Sequence, residues 1–380
     1  MARGEAFVRL IVIGIAQSRR STLLKEAAVR WPALSVIEVA WIDLLDGRLD
    51  LRSVVQRGDV VRIDSPGRDF ATEVALLRLG LQNDPGDAEI PTHAQLDALR
   101  FERGRLLWPA AWYAGFCAAL RMLAAQLSQC PPHRLTSDIT TICTAFDKSA
   151  TNRQLAGRGI SVPAAIGRVA NFDELVDRCR SLRWPQAFLK IAYGSSGTGA
   201  VALRIGADRM QAWTTTEVAT DGSSALLYNT RAVRMLSSIG DIRQVIGCLC
   251  RHVVHVERWI PKAGVGGKAF DLRVVTIGGE PTHIVARLSN SPMTNLHLLN
   301  ARGDIHRVRE RCGEASWNSM LESCRQSASS FGGCHCIGID ALFAPTFRHH
   351  AVLEVNAFGD LLPGILSGGQ DTYTAELLKA

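Results

Sequence analysis

The chain has 380 residues, 47% of them apolar and 21% charged, a soluble globular composition long enough for two or three domains. Its net charge of +7 rests on arginine, since only six of the 43 basic residues are lysine. No dense Lys/Arg stretch with interleaved aromatics occurs, which speaks against a nucleic-acid surface.

Along the chain, Met1–Gln17 is an apolar run interrupted by Arg9 and followed by no small-residue cleavage site. It is expected as a first buried strand (Val8–Gly14) rather than a secretory signal, which implies a cytoplasmic location. A helical pattern through Leu23, Leu24, Ala27 and Ala28 follows, then strands at Val36–Ala40 and Val60–Ile63. This alternation predicts a small α/β, Rossmann-like domain with a parallel sheet over residues 1–130. Asp64-Ser65-Pro66-Gly67-Arg68 lies just past a strand end, where open α/β sheets bind ligands. It is either a plain turn or a place where Ser65 and Arg68 hold an acceptor substrate. Ala110–Leu127 contains Arg121 and Gln126 and falls short of a ~20-residue membrane span, so it reads as a buried helix. Cys130-Pro131-Pro132 is a breaker and a domain boundary.

Beyond it, Asp147–Gly159 reads as a helix, Phe188–Ile191 as a strand and Val201–Ile205 as its hairpin partner. The Thr-rich stretch Ala212–Asn229 is expected as loop or edge structure. Further strands are expected at Val253–Ile260, Asp271–Ile277, His283–Arg287, Ile337–Phe343 and Ala351–Val355. Cys248/Cys250 and Cys334/Cys336 have ligand-like spacing. Their apolar flanks suggest strands, with reduced core cysteines favoured over structural zinc.

Two regions carry chemistry. In Phe188-Leu-Lys-Ile-Ala-Tyr-Gly-Ser-Ser-Gly-Thr-Gly-Ala200 a strand delivers Lys190 and a loop follows with Gly194, Gly197 and Gly199. Glycines let backbone N–H groups approach phosphate oxygens, and Ser195, Ser196 and Thr198 add hydroxyl donors. Alone this is an ordinary tight turn more often than a phosphate cradle. Near the C-terminus, Asp340 and the pair Glu354/Asn356 interrupt hydrophobic strands. Two residues apart on a strand, Glu354 and Asn356 face the same side, and carboxylates with an amide oxygen suit Mg²⁺.

The ordered set Asp147-Lys148, Lys190 with its loop, Val256-Glu-Arg-Trp-Ile260, Asp271-Leu-Arg273, Arg287, Asn295-Leu-His297, Asp340 and Glu354-Val-Asn356 resembles the ATP-grasp superfamily, closest to its glutamate-ligase and glutathione-synthetase branch. The resemblance covers roughly Thr144 to Pro363. It implies an α/β chain with two α+β subdomains clasping ATP, a lid subdomain over 131–260 and a metal-bearing subdomain over 261–380. It also implies an ATP- and Mg²⁺-dependent carboxylate–amine ligase that works through an acyl phosphate. Lys148, Lys190, Gly194, Ser195, Ser196 and Gly197 would hold phosphates, and Glu257, Arg258, Trp259 and Ile260 would form the adenine hinge. Asp271 would meet the ribose and Asn295 the phosphate or metal. Arg287 would clamp the transferring phosphoryl group. Arg273 would be electrostatic or substrate-facing, or paired with Asp271. Asp340, Glu354 and Asn356 would hold two Mg²⁺ ions, with Mn²⁺ as an alternative. The partners implied are a small-molecule or peptide carboxylate and an amine acceptor, with no nucleic acid and no membrane; a homodimer stays open. Rival readings are a kinase-like phosphotransferase and a nucleotide-binding module without turnover. The sequence departs from the family in the long Pro261–Phe270 link, in Met293 where an arginine is frequent, in Leu-Leu-Asn after Asn295-Leu-His297, and in Ala-Phe-Gly-Asp after Asn356. These departures bear on the acceptor pocket and on one phosphate contact.

Overall fold

The computed structural model describes residues 9–67, 69–194, 197–221 and 224–379. Met1–Val8, Arg68, Ser195 and Ser196 lie outside the described residues. The first sheet is parallel throughout, in the order β2-β1-β3-β4. The run Leu10–Ile13 is apolar on both faces because helices cover both sides of a parallel sheet, and it forms β1 (Arg9–Gly14). Helix α1 (Arg19–Ala28), capped by the Ser18 side chain, leads to β2 (Ser35–Ala40) and the short α2 (Trp41–Leu45). Then come β3 (Val60–Ile63), α3 (Phe70–Leu81), α4 (His93–Ala98) and α5 (Pro109–Leu127), the last the expected buried helix. Glycines let α3 and α5 cross closely: a Cβ on Gly115 would lie 1.8 Å from the Leu76 carbonyl oxygen, and one on Gly80 1.9 Å from that of Ala111. The chain passes Cys130-Pro131-Pro132 and adds β4 (Arg134–Leu135) to the same sheet.

Helices α6 (Ile139–Phe146) and α7 (Lys148–Gly157) meet at Asp147, whose carboxylate caps α7 by accepting from the N–H groups of Ser149 and Ala150. After them comes a second, antiparallel sheet in the order β5-β10-β6-β7-β8-β9. Its strands are β5 (Ala165–Gly167), β6 (Gln186–Ile191), β7 (Val201–Ile205), β8 (Met210–Asp221), β9 (Ser224–Leu236) and β10 (Val254–Arg258), with α8 (Phe172–Ser181) between β5 and β6. The Thr-rich stretch expected as loop or edge is thus a long hairpin whose second strand is the sheet edge. Part of that edge is covered by the segment before α5, where the Leu106 N–H donates to the Leu227 carbonyl at 2.8 Å. Cys248 and Cys250 do not lie on a strand. They end α9 (Ile239–Cys250), a helix capped by Ser238 whose Ile242, Val245, Ile246 and Leu249 face the core. The i, i+3, i+4 period of those residues outweighs the local apolar run that suggested a strand. Helices α8 and α9 cover one face of the sheet, packed on Leu189, Ile191, Val201 and Leu203.

The third sheet holds β11 (Gly264–Val265), β12 (Lys268–Ile277), β13 (Glu280–Ser289), β14 (Ala301–Gly303), β15 (Cys336–Phe343) and β16 (His350–Asn356). Its order is β14-β13-β12-β15-β16, with β11 on β12. Helices α10 (Ile305–Cys312) and α11 (Glu314–Ser330) cover one face, and their apolar side chains share a core with the first sheet. The last helix, α12 (Thr372–Lys379), returns to the first sheet, where Tyr373 and Leu377 pack on Leu10, Val12 and α1. No helix among the described residues is long and apolar enough to cross a membrane. Every cysteine is a free thiol, and no group of three or more His, Cys, Asp or Glu among the described residues is arranged to hold a metal.

Candidate active site

The second and third sheets border a cleft with the faces turned away from α8 and α9 and from α10 and α11. Strand alternation aims the side chains into it. In β6, Ala187, Leu189 and Ile191 enter the core under α8 and α9, so Phe188 and Lys190 point the other way, into the cleft. Register does the same in the third sheet. Asp271 stands opposite Arg287, Arg273 opposite Asp340, and Asp340 opposite Glu354. These charged residues therefore share one face.

Lys148, Lys190, Gly194, Gly197, Glu257, Arg258, Trp259, Ile260, Asp271, Arg287, Asn295, Asp340 and Glu354 all line this cleft. Arg273 and Asn356 are not among the residues that line it. Lys190 pairs with Glu257 at 2.5 Å, and the His255 ring lies 3.4 Å from the other Glu257 oxygen. His255 is tied in turn to Ser149 of α7 at 3.0 Å. Burial pushes the Glu257 carboxyl up, but Lys190 and then His255 outweigh it and hold the group at about 2. Burial likewise disfavours the Lys190 ammonium, yet Glu257, Glu354 and Asp340 raise its pKa overall. Glu257 is therefore committed to a cation, where the resemblance implied a contact at the adenine hinge. At that hinge the Arg258 N–H already donates to the Ala164 carbonyl at 2.7 Å. Trp259 packs edge-on against Phe188 and Trp213.

Lys148, at the start of α7, donates to the Gly194 carbonyl and lies 3.6 Å from Glu354. The loop it touches is shaped by left-handed glycines. Gly197 has φ +72° and Gly199 φ +63°, and a Cβ on Gly199 would lie 2.3 Å from Ile191. The loop is held from below by residues that sequence reasoning did not single out. Thr215 donates to the Gly197 carbonyl at 2.9 Å, Thr214 to that of Ala200 at 3.0 Å, and the Asn229 side chain accepts from Gly199 N–H at 3.4 Å.

Across the third sheet runs an alternating chain of charge. Lys262 meets Asp271 at 3.0 Å, Asp271 meets Arg287 at 2.7 Å, and Arg287 meets Asp340 at 3.0 Å. Arg273 donates to both Asp340 oxygens and reaches Asp360 at 3.0 Å. Of the two earlier readings, Arg273 is paired with Asp340 and Asp360, not with Asp271. Burial raises the Asp340 carboxyl, but Arg273 and Arg287 hold it below its usual range; Arg287 and Lys262 do the same for Asp271. Lys262 and Thr294 also went unsingled in the sequence, although Lys262 is one of only six lysines.

Of the residues expected to hold a metal, Asp340 has both oxygens engaged by Arg273 and Arg287, which leaves Glu354 and Asn356 to offer open oxygens to a hard divalent cation. Asp340 and Glu354 are cross-strand neighbours, and Glu354 keeps a quarter of its side-chain surface exposed in the cleft. Asn356, two residues on, uses its amide N–H on the Gly338 carbonyl at 3.4 Å, which leaves its oxygen available as a ligand. Ser65, the alternative acceptor residue, lines a separate small hollow with Ser18, Arg20 and Asp64, and its hydroxyl accepts from the Gly67 N–H.

Neither a protein-family profile nor a curated protein sequence matches the chain. Solved structures do. It is similar to D-cycloserine synthetase DcsG at 13% identity and TM-score 0.56, covering 98% of each chain. It is similar to macrocyclase MdnC from Microcystis aeruginosa MRC, bound with precursor peptide MdnA, at 11% identity and TM-score 0.55, over 97% of this chain and 98% of that one. It is also similar to the ATP-grasp ligase PsnB complexed with minimal precursor, Mg and ADP, at 13% identity and TM-score 0.51, over 97% and 95%. The chain thus has the ATP-grasp fold, with its preceding α/β unit, over nearly its whole length.

Proposed function

We propose that this chain is an ATP-dependent carboxylate–amine ligase that forms an amide or peptide bond through an acyl phosphate. The observation that carries the reading is the convergence of Lys148, from the start of α7, and Lys190, from the second sheet, with Arg287, Asp340 and Glu354, from the third, on a single cleft. Similarity to a ligase complexed with Mg and ADP, and to a macrocyclase bound with a precursor peptide, supports the same class of chemistry.

A carboxylate is an anion asked to attack another anion, the γ-phosphate. The protein must screen that repulsion and fix the geometry, since phosphoryl transfer needs little else. Lys148 and Lys190 would hold the phosphates from two sides, and Arg287 would face the charge that develops on the transferring group. Asp340, Glu354 and Asn356 would hold Mg²⁺, which when bound supplies further charge neutralisation to the phosphates. The loop of Gly194–Gly199 would cover the acyl phosphate and keep water out. The carboxylate oxygen bonds to Pγ as the bond to ADP breaks. An amine then attacks the acyl carbon, phosphate leaves, and the amine gives up a proton.

The test is ADP release that requires both a carboxylate and an amine, with hydroxylamine as a trap. An acyl phosphate yields a hydroxamate, whereas a kinase-like phosphoester does not. ATP turnover without amide or hydroxamate under a broad set of amino acids and peptides would refute the ligase reading.

A further inference from the structure

Lys262 is a buried cation that the mechanism above leaves without a task. It sits in the link between β10 and β12, its side chain only one-tenth exposed, and it lines the same cleft as Lys190 and Arg287. Its ammonium donates to Asp271 at 3.0 Å and to the Thr294 hydroxyl at 2.6 Å. That hydroxyl in turn donates to the same Asp271 oxygen. An ammonium carries three hydrogens, and among the described residues only these two acceptors meet it. That leaves the ammonium one donor to spare, on a residue that lines the cleft.

Asp271 is shared, because its other oxygen already serves Arg287 at 2.7 Å. The remaining carboxylates of the cleft are committed: Glu257 to Lys190, Asp340 to Arg273 and Arg287, and Glu354 toward Lys148. Arg287 also meets Asp340 at 3.0 Å, so among the described residues Lys262 has Asp271 as its one carboxylate partner. Burial, with Arg287 and Lys190 close by, lowers the Lys262 pKa against the pull of Asp271. An anion brought into the cleft would meet the remaining donor of this cation. The neighbouring wall residue Met293 brings no charge that could do so.

We infer that Lys262 is a polyphosphate-binding residue, giving its third hydrogen to a β- or γ-phosphate oxygen of the nucleotide, and that Asp271 positions Lys262 and Arg287 rather than meeting the ribose. The inference rests on the nucleotide site of the ligase reading and adds a third lysine to it. Thr294 completes the holder by fixing the direction of the ammonium.

The experiment is direct calorimetric binding of ATP, ADP and AMP, each with Mg²⁺, to the full chain and to Lys262→Met, which keeps the apolar stem. Loss of a charged hydrogen bond predicts ATP affinity lower by roughly 10- to 100-fold. AMP, which lacks the β- and γ-phosphates, should change less than about threefold by the same reasoning. Lys262→Arg should recover most of the ATP affinity. Thr294→Val, which keeps the lysine, should weaken ATP more than AMP and so reads the same selectivity if Lys262→Met folds poorly. Equal weakening of ATP and AMP, or none, overturns the inference while leaving the ligase reading intact. A wild-type chain that binds none of the three overturns both.

Discussion

Replacing Lys190 with Met separates the structural weight of this residue from its role toward nucleotide. Lys190 and Glu257 form a buried ion pair, 15% and 5% exposed, and removal of one partner from such a pair typically costs about 3–5 kcal/mol. His255 remains near Glu257, so the lower end, about 3 kcal/mol, is expected. Glu257→Gln alone strands the ammonium instead. The double variant should lose less than the sum of the two, with a coupling of about 1–3 kcal/mol in urea unfolding. The pH dependence has a definite sign. In the wild type the Glu257 carboxyl is depressed from 4.5 to about 2, so its contribution is complete above pH 4.5 and is lost as pH falls toward 2. Without Lys190, burial favours the neutral acid, so the penalty of Lys190→Met should be largest at pH 8 and shrink as the solution becomes acidic. Nucleotide affinity should follow a different rule: ATP binding lost in Lys190→Met should not return in the double variant, because neutralising Glu257 supplies no cation for phosphate. Additive stabilities in the cycle, or ATP binding restored by Glu257→Gln, would refute the reasoning.

Glu354→Gln should lower ADP release more than 100-fold while ATP affinity changes by less than about tenfold, since it removes a metal-binding charge beside the reacting phosphate; unchanged turnover would show the metal assignment to be wrong. Thr215→Val strips the hydrogen bond that holds the Gly197 carbonyl, a loss of about 0.5–1.5 kcal/mol, so the KM for ATP should rise about three- to tenfold, with Thr215→Ser near wild type. Gly115→Ala should lower the thermal unfolding temperature, because its Cβ would lie 1.8 Å from the Leu76 carbonyl and overpacking costs about 1–3 kcal/mol or more. Gly157→Ala, in α7 with nothing within 4 Å of its Cβ, is the control and should be neutral or stabilising by up to about 1 kcal/mol.

Much of the architecture was legible in local pattern. The parallel first sheet follows from apolar runs alternating with a helical period, and the glycine-rich hairpin after Lys190 from its composition. The shared face of Glu354 and Asn356 follows from a spacing of two. Where two local signals competed, the longer period decided: Ile242, Val245, Ile246 and Leu249 made a helix of a stretch whose two cysteines suggested a strand. The threonines of β8 looked like loop residues because their partners, the carbonyls of Gly197 and Ala200, lie on a different strand and its turn.

By itself, then, the order of residues determined which segments become strands and which side chains could serve phosphate or metal, because periods of 2 and 3.6 are written into neighbouring positions. Only the tertiary structure decided how those side chains are paired. The chain from Lys262 through Asp271, Arg287, Asp340 and Arg273 to Asp360 joins groups nearly a hundred residues apart. Its order is set by the register of β12 against β13 and β15. Register is a property of hydrogen-bond ladders between distant segments, and a slip of one residue in β12 would turn Asp271 and Arg273 to the opposite face of the sheet.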